Sequence, residues 1–313
     1  QEGLLPPGIE SEDPETEELQ VSKTPDFIKQ WSEKYGENVK HTVDFSDVLS
    51  GGVPKDGIPA IDNPKFISIA EASFLDDEDA GSLFVIGETA RFYPFPILNW
   101  HEIVNDTAEG EHILVSYCPL CDSAAVYSRK TKKGISSFGV SGFLNQSNLV
   151  MYDRNTESLW NQILGMAIAG ELTGEELELL PSNVIQWKTV KEHYPNAEVL
   201  STNTGYDRDY TQDPYKGYTA EEGIMFPVHM QDDRIGNKAR VLGIVVDGIA
   251  KAYPRELVDG QNLTDTVGTA DIALTWEHGK AIFHRGNTRI EPIHAFWFSW
   301  VAQYPETEVF VGE

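Results

Sequence analysis

Apolar residues in this chain alternate with polar ones, or run on for five or six positions, far more often than they recur at helical spacing. FVIGETARFYP (84–94), HILVSY (112–117), AVYSR (125–129) and GIVVDGIAKAYP (243–254) are β-branched and aromatic runs bounded by Gly, Asn-Asp or Pro, which predicts strands. FVIGE and GIVVDG predict hairpins turning at Ile86-Gly87-Glu88 and Asp247-Gly248. WKTVKEHYPNAEVL (187–200) and WFSWVAQYPETEVF (297–310) each predict a short helix that stops before its Tyr-Pro, then a strand. A further short amphipathic helix is predicted over TPDFIKQWSEKYG (24–36). The expected class is α+β, predominantly β.

The same patterns occur twice in the same order. VIGETARFYP (85–94) recurs as VVDGIAKAYP (245–254), so that Tyr93-Pro94 matches Tyr253-Pro254, 160 positions on. Asp106-Thr107 matches Asp265-Thr266, and HILVSY (112–117) matches DIALTW (271–276), both at 159. AVYSR (125–129) matches AIFHR (281–285) at 156, and the two helix-strand segments match at 110. These matches predict two unequal tandem β-rich pseudo-repeats sharing one core. The expected organisation is an acidic N-terminal arm (1–23), a first, elaborated repeat (24–200), a Tyr/Asp-rich crossing loop (201–236) and a second, plain repeat (237–313).

Where the offset changes, the first repeat is longer. It gains three residues around CPLC, counting from Cys118 to Ser128 against Glu277 to His284, and 46 between Arg129 and Trp187, against Arg285 and Trp297. The NWHEIVND segment (99–106) faces a featureless DGQNLTD (259–265). If chemistry is kept in one copy, it belongs with these additions.

Charge narrows the partners. Asp and Glu number 50 against 24 Lys and Arg, a net charge of −26 over 313 residues, which repels nucleic acid and anionic lipid surfaces. No apolar run reaches the ~20 residues of a membrane helix, so no membrane span is expected. The chain opens at Gln1 and carries sequons at Asn105, Asn145 and Asn262, which fits a secreted or periplasmic, extracytoplasmic protein with its signal removed. Two cysteines are too few for a disulfide-stapled scaffold.

Those two cysteines form the run Cys118-Pro119-Leu120-Cys121, directly after a strand. Paired thiolates chelate a soft ion, close a local disulfide, or act as a redox dithiol; a zinc site built from four cysteines is excluded because no second pair exists. His101, placed on a strand neighbouring the cysteine strand, is the leading third ligand, which suits copper first and zinc second. Possible accessory residues are Glu102, on the opposite face of that strand from His101, Met151, Asp153 and Trp160, with His112 a weaker ligand. Asp153 and Arg154 read most simply as an ion pair, and Ser158, Trp160 and Gln162 as a polar-aromatic strand face that is a satisfied core network or a sugar-binding surface. A dithiol enzyme of thioredoxin type would place its cysteines at a helix N-terminus, and here another strand-like run follows. No serine-hydrolase elbow, Walker loop, dinucleotide turn or zincin helix is present.

GGVPKDGIPAIDNPKF (51–66), ARFYPFPILNWHEIVND (90–106), VSYCPLCDSA (115–124), FGVSG (138–142), LVMYDRNTESLWNQ (149–162) and TGYDRDY (204–210) resemble the bacterial and archaeal family called domain of unknown function 3179. The resemblance spans nearly the whole chain after the arm and implies no established reaction. His229 and Met230, in FPVHM (226–230), depart from that pattern and are either extra soft ligands or plain surface residues. The functional expectation is a transition-metal binding protein, copper or else zinc, in metal handling or metal-dependent redox chemistry. The alternatives are a non-catalytic binding module whose cysteines form a disulfide, with a protein or glycan partner on the Trp160 face or the Tyr-rich loop, and a thiol-disulfide oxidoreductase.

Overall fold

The alternating segments pair as strands in the computed structural model, which describes residues 39–312; the acidic arm and the helix expected at 24–36 lie outside them. Ala80–Ile86 and Thr89–Pro94 form a hairpin turning at Gly87-Glu88, and Arg240–Val246 and Ile249–Pro254 form another turning at Asp247-Gly248. Asp247 and Gly248 both have positive φ (51° and 80°), the backbone that matches the twist of paired strands in a two-residue turn. The tertiary class is α+β with β predominating.

Strand order repeats as well. Ser182–Gln186 lies antiparallel to Ala80–Ile86, and Glu198–Leu200 lies parallel to Thr89–Pro94. In the second half Ile293–Phe296 lies antiparallel to Arg240–Val246, and Glu308–Val309 parallel to Ile249–Pro254. Registers coincide too: Ile185 faces Gly81 as Ala295 faces Val241, and Val199 faces Phe92 as Val309 faces Ala252. Helices Trp187–His193 and Trp297–Gln303 bury Trp187 and Val190 in one case and Trp297, Trp300 and Val301 in the other. Both end at a tyrosine before proline, because the residue preceding proline is driven out of the helical region.

Each half also has a three-stranded meander: Ile103–Ala108, Glu111–Cys118 and Ser123–Ser128 in the first, Leu263–Val267, Ala270–Glu277 and Lys280–Arg285 in the second. The first meander does not stay with its own hairpin. Ala124 pairs with His294, which joins the meander to the second half in a seven-stranded sheet. At the reciprocal seam the Asn183 side chain accepts a hydrogen bond from the Ala281 amide at 2.8 Å. Each half has an apolar cluster of its own, Phe84, Tyr93, Leu98, Ile113 and Val115 in one and Ile244, Tyr253, Val258, Ile272 and Leu274 in the other, and a further cluster with Cys118, Leu149, Trp160, Phe296 and Phe298 spans both. The halves are therefore joined both by a continuous sheet and by a shared apolar cluster.

Register corrects one count. Cys118 pairs with Ser123 and Glu277 with Lys280, so the first half's turn is Pro119–Asp122 and the second's is His278-Gly279. The CPLC loop is thus longer by two residues, not three; the third comes from a shift in strand pairing that sequence matching cannot see.

The 46-residue addition builds a further sheet, with Val48–Ser50, Phe138–Asn145, Asn148–Asp153, Leu159–Asn161 and Met166–Ala169 in that order. The bulge in Phe138–Asn145 requires Gly142 (φ 82°), since a Cβ there would run into the Val53 carbonyl. Residues 201–236 have little regular structure beyond the turn of helix Tyr218–Ala220 and run along the junction of the two halves. Among the described residues no helix is long and apolar enough to cross a membrane.

Candidate functional site

Cys118 ends the second strand of the first meander, and Cys121 sits in the turn that follows. Both are free and almost wholly buried, at 1% and 0% exposure. Cys121 donates to the Ser147 carbonyl at 2.9 Å. Burial pushes the Cys118 thiol well up, and a hydrogen bond and charge from Cys121 push it further. Beside Cys118 lies Glu102, whose carboxyl is raised well above the usual range by burial and then by Cys118. Burial of this kind favours the neutral carboxylic acid, which can donate a hydrogen bond. Glu102, Leu120, Leu149, Tyr215 and Met225 border a cavity of about 40 Å³ next to the thiols.

The NWHE segment is not a strand. Pro94 and Pro96 start helix Phe95–His101, and Glu102 leaves it with a positive φ of 56°. The following strand does run antiparallel to the cysteine strand, and the Tyr117 amide donates to the Glu102 carbonyl at 2.8 Å. This arrangement delivers Glu102 to Cys118. His101, one residue earlier on the helix, is turned elsewhere: its Nδ1 lies 2.7 Å from the Pro59 carbonyl and its Nε2 2.8 Å from the Tyr210 hydroxyl. Burial lowers its pKa to about 4, so the ring is neutral at pH 7.

On the other side of the Pro119–Asp122 turn opens a cleft of about 610 Å³ between the halves. Positions matched in the two repeats both line it: Phe95 and Arg255, Asn99 and Asp259, Tyr117 and Trp276. The first half stacks Phe95 on Tyr117 with ring centroids 3.8 Å apart; the second sets the Arg255 guanidinium 5.9 Å from the Trp276 ring. At the floor, Asp122 is 3% exposed and has positive φ (44°). It accepts from the Tyr117 hydroxyl (3.0 Å), Arg240 Nε (2.6 Å) and His294 Nε2 (3.3 Å). Burial opposes its charge, yet His294 and Arg240 outweigh burial and hold the carboxyl at about 2. The His294 ring, fully buried, is pushed down by that burial.

Over residues 55–291 the sequence matches the profile described as protein of unknown function (DUF3179). The chain belongs to the DUF3179 family. Neither the curated proteins nor the solved structures contain a match.

In this DUF3179 protein the predicted site residues scatter. Cys118, Cys121 and Glu102 come together, and Met151, in the same apolar cluster as both cysteines, is fully buried against Trp160. Asp153 does not pair with Arg154, which instead binds Asp62; it accepts from the Thr156 and Ser158 amides, the Thr156 hydroxyl and Trp160 Nε1, all within 3.1 Å. Trp160 and Asp153 are 0% exposed, so their strand face is core. His229 is exposed and pairs with Asp47 at 3.0 Å, Met230 is half-buried, and His112 lies 3.0 Å from the Thr107 hydroxyl. Among the described residues no three His, Cys, Asp or Glu side chains are arranged to hold a metal ion. Asn105 and Asn145 are 3% exposed with their amides hydrogen-bonded, whereas Asn262 is exposed. Asp122, Arg240, Trp276 and His294 were not legible as a site. Asp122 follows the cysteine pair directly, which was a signal; His294 lies in the plain repeat, and only the cross-seam pairing brings it to Asp122.

Proposed function

We propose that this DUF3179 protein binds a soft monovalent metal ion, Cu(I), through Cys118 and Cys121. The observation that carries the reading is the pair of free thiols within hydrogen-bonding reach of each other in a dry site. Soft thiolates select Cu(I), which accepts two sulfur ligands and needs no third. Zinc wants three or four protein ligands, and the thiol pair lacks such a set among the described residues. His101 drops out of the ligand set because both its ring nitrogens are engaged. Burial of both sulfurs also argues against exchange with a protein disulfide, which needs an accessible thiolate. Metal handling in an extracytoplasmic compartment belongs to the same proposal, although burial of Asn105 and Asn145 removes two of the sequons that favoured export.

The test is an anaerobic titration of the full chain with Cu(I) against bicinchoninate. One equivalent should bind, with affinity falling at least about 100-fold (about 2.7 kcal/mol) in Cys118→Ser and in Cys121→Ser and unchanged in His101→Gln. Absence of competition with the chelator, or retention of affinity in either serine variant, would overturn the proposal. A reversible two-electron dithiol couple without metal uptake would replace it with the redox reading.

A further inference from the structure

We infer that the cleft between the two halves binds a neutral, hydroxyl-rich ring compound of monosaccharide to disaccharide size. This reading is independent of the thiols, which do not line the cleft. Three observations carry it. First, the volume of about 610 Å³ is that of a small-molecule site, and its walls come from both halves and from the crossing loop through Asp213, Tyr215 and Tyr218. Second, its cations are matched by carboxylates: Arg240 bonds Asp122 and Arg255 bonds Asp259, each within 2.9 Å. Glu78 and Asp213 add negative charge, so an anionic ligand meets repulsion. The Trp276 ring stands beside these polar groups, the combination that suits a ring with apolar C–H faces and a hydroxylated rim, whereas the Tyr117 ring is already stacked on Phe95.

Third, two wall residues carry buried polar atoms with no partner among the described residues: Trp276 Nε1 and His294 Nδ1. His294 is 4% exposed. With Nε2–H donating to Asp122, its Nδ1 is an acceptor, while the indole N–H of Trp276 is a donor. Both atoms are closed off from the empty cleft, so a ligand pairs with them only as the wall side chains shift to admit it. The opposite demands of these atoms select the ligand chemistry. An ammonium only donates and a carboxylate only accepts; hydroxyl groups do both.

The experiment titrates the full chain calorimetrically with glucose, galactose, maltose and cellobiose, with glucosamine and glucuronate as charged counterparts. At least one neutral sugar should bind saturably, and about tenfold more tightly than either charged form. Trp276→Ala and His294→Ala should each weaken that binding by about tenfold or more, Trp276→Phe by less, and Cys118→Ser not at all. No saturable binding of any neutral sugar, equal or tighter binding of a charged counterpart, or unaltered affinity in Trp276→Ala would overturn the inference.

Discussion

Arg91 and Lys251 occupy the same place in the two halves and are held in the same way. Arg91 bridges Asp106 and Glu198, both at 2.7 Å; Lys251 bridges Asp265 at 2.7 Å and Glu308 at 3.7 Å. Each cation fastens a meander strand to the strand that follows the helix. The first version is tighter: Asp106 is 6% exposed and also accepts from the Tyr93 hydroxyl at 2.6 Å, whereas Asp265 is 18% exposed. What differs between the halves is mounted on this common frame. The longer turn, with its cysteines and Asp122, and the 130–181 segment belong to the first half, while Arg240, Arg255, Trp276 and His294 reach the cleft from the second. The comparison teaches that the second half is more than a support, since Arg240, Arg255, Asp259, Trp276 and His294 of the cleft wall come from it.

If the two frames are equivalent, removing matched anchors should cost alike. Trp187→Ala and Trp297→Ala each empty a buried site and should lower stability by about 3–5 kcal/mol in urea unfolding. A cost confined to one of them breaks the equivalence. The ion frames should separate the halves: Asp106→Asn takes one of two carboxylates from a part-buried guanidinium and should cost about 2–3 kcal/mol, and the more exposed Asp265→Asn about 1 kcal/mol. Equal costs would mean that the difference in burial carries no energy.

A pH dependence should come from both halves, because burial lowers the pKa of His294 as well as that of His101. His101 titrates at about 4 when folded, against 6.5 in the open chain. Above pH 6.5 both states are neutral there and stability is unaffected. As pH falls from 6.5 to 4 the unfolded chain binds a proton that the folded one refuses, so stability declines, by on the order of 2–3 kcal/mol, and then levels off. His101→Gln should remove the His101 share of that slope and leave the share of His294, read from unfolding midpoints across pH. The smallest effect concerns the sequons. In a glycosylating host Asn262 should be the site modified, with the attached mass lost in Asn262→Gln, kept in Asn105→Gln, and stability within about 0.5 kcal/mol for the exposed change.

Much of the frame was legible because it rests on local rules. Hairpins at Gly87-Glu88 and Asp247-Gly248 and helices ending before Tyr194-Pro195 and Tyr304-Pro305 follow from turn chemistry and from proline. The site was legible in part. The antiparallel neighbour of the cysteine strand was foreseen, but the NWHE segment was read as a strand, and its proline-started helix exchanges His101 for Glu102 as the residue beside Cys118. Asp153 and Arg154, adjacent in sequence, found separate partners because burial of Asp153 under Trp160 left Arg154 facing Asp62.

By itself the sequence determined the hairpins, the helices that end before Tyr-Pro, the recurrence of its patterns, the cysteine pair and a net charge of −26. These depend on residue type and on neighbours a few positions off. Only the tertiary structure decided which meander joins which sheet, and with it the meeting of Asp122 with His294, 172 positions apart. The pairing of Ala124 with His294 closes a seam whose register is set by side chains from both halves at once, and no local pattern carries that information.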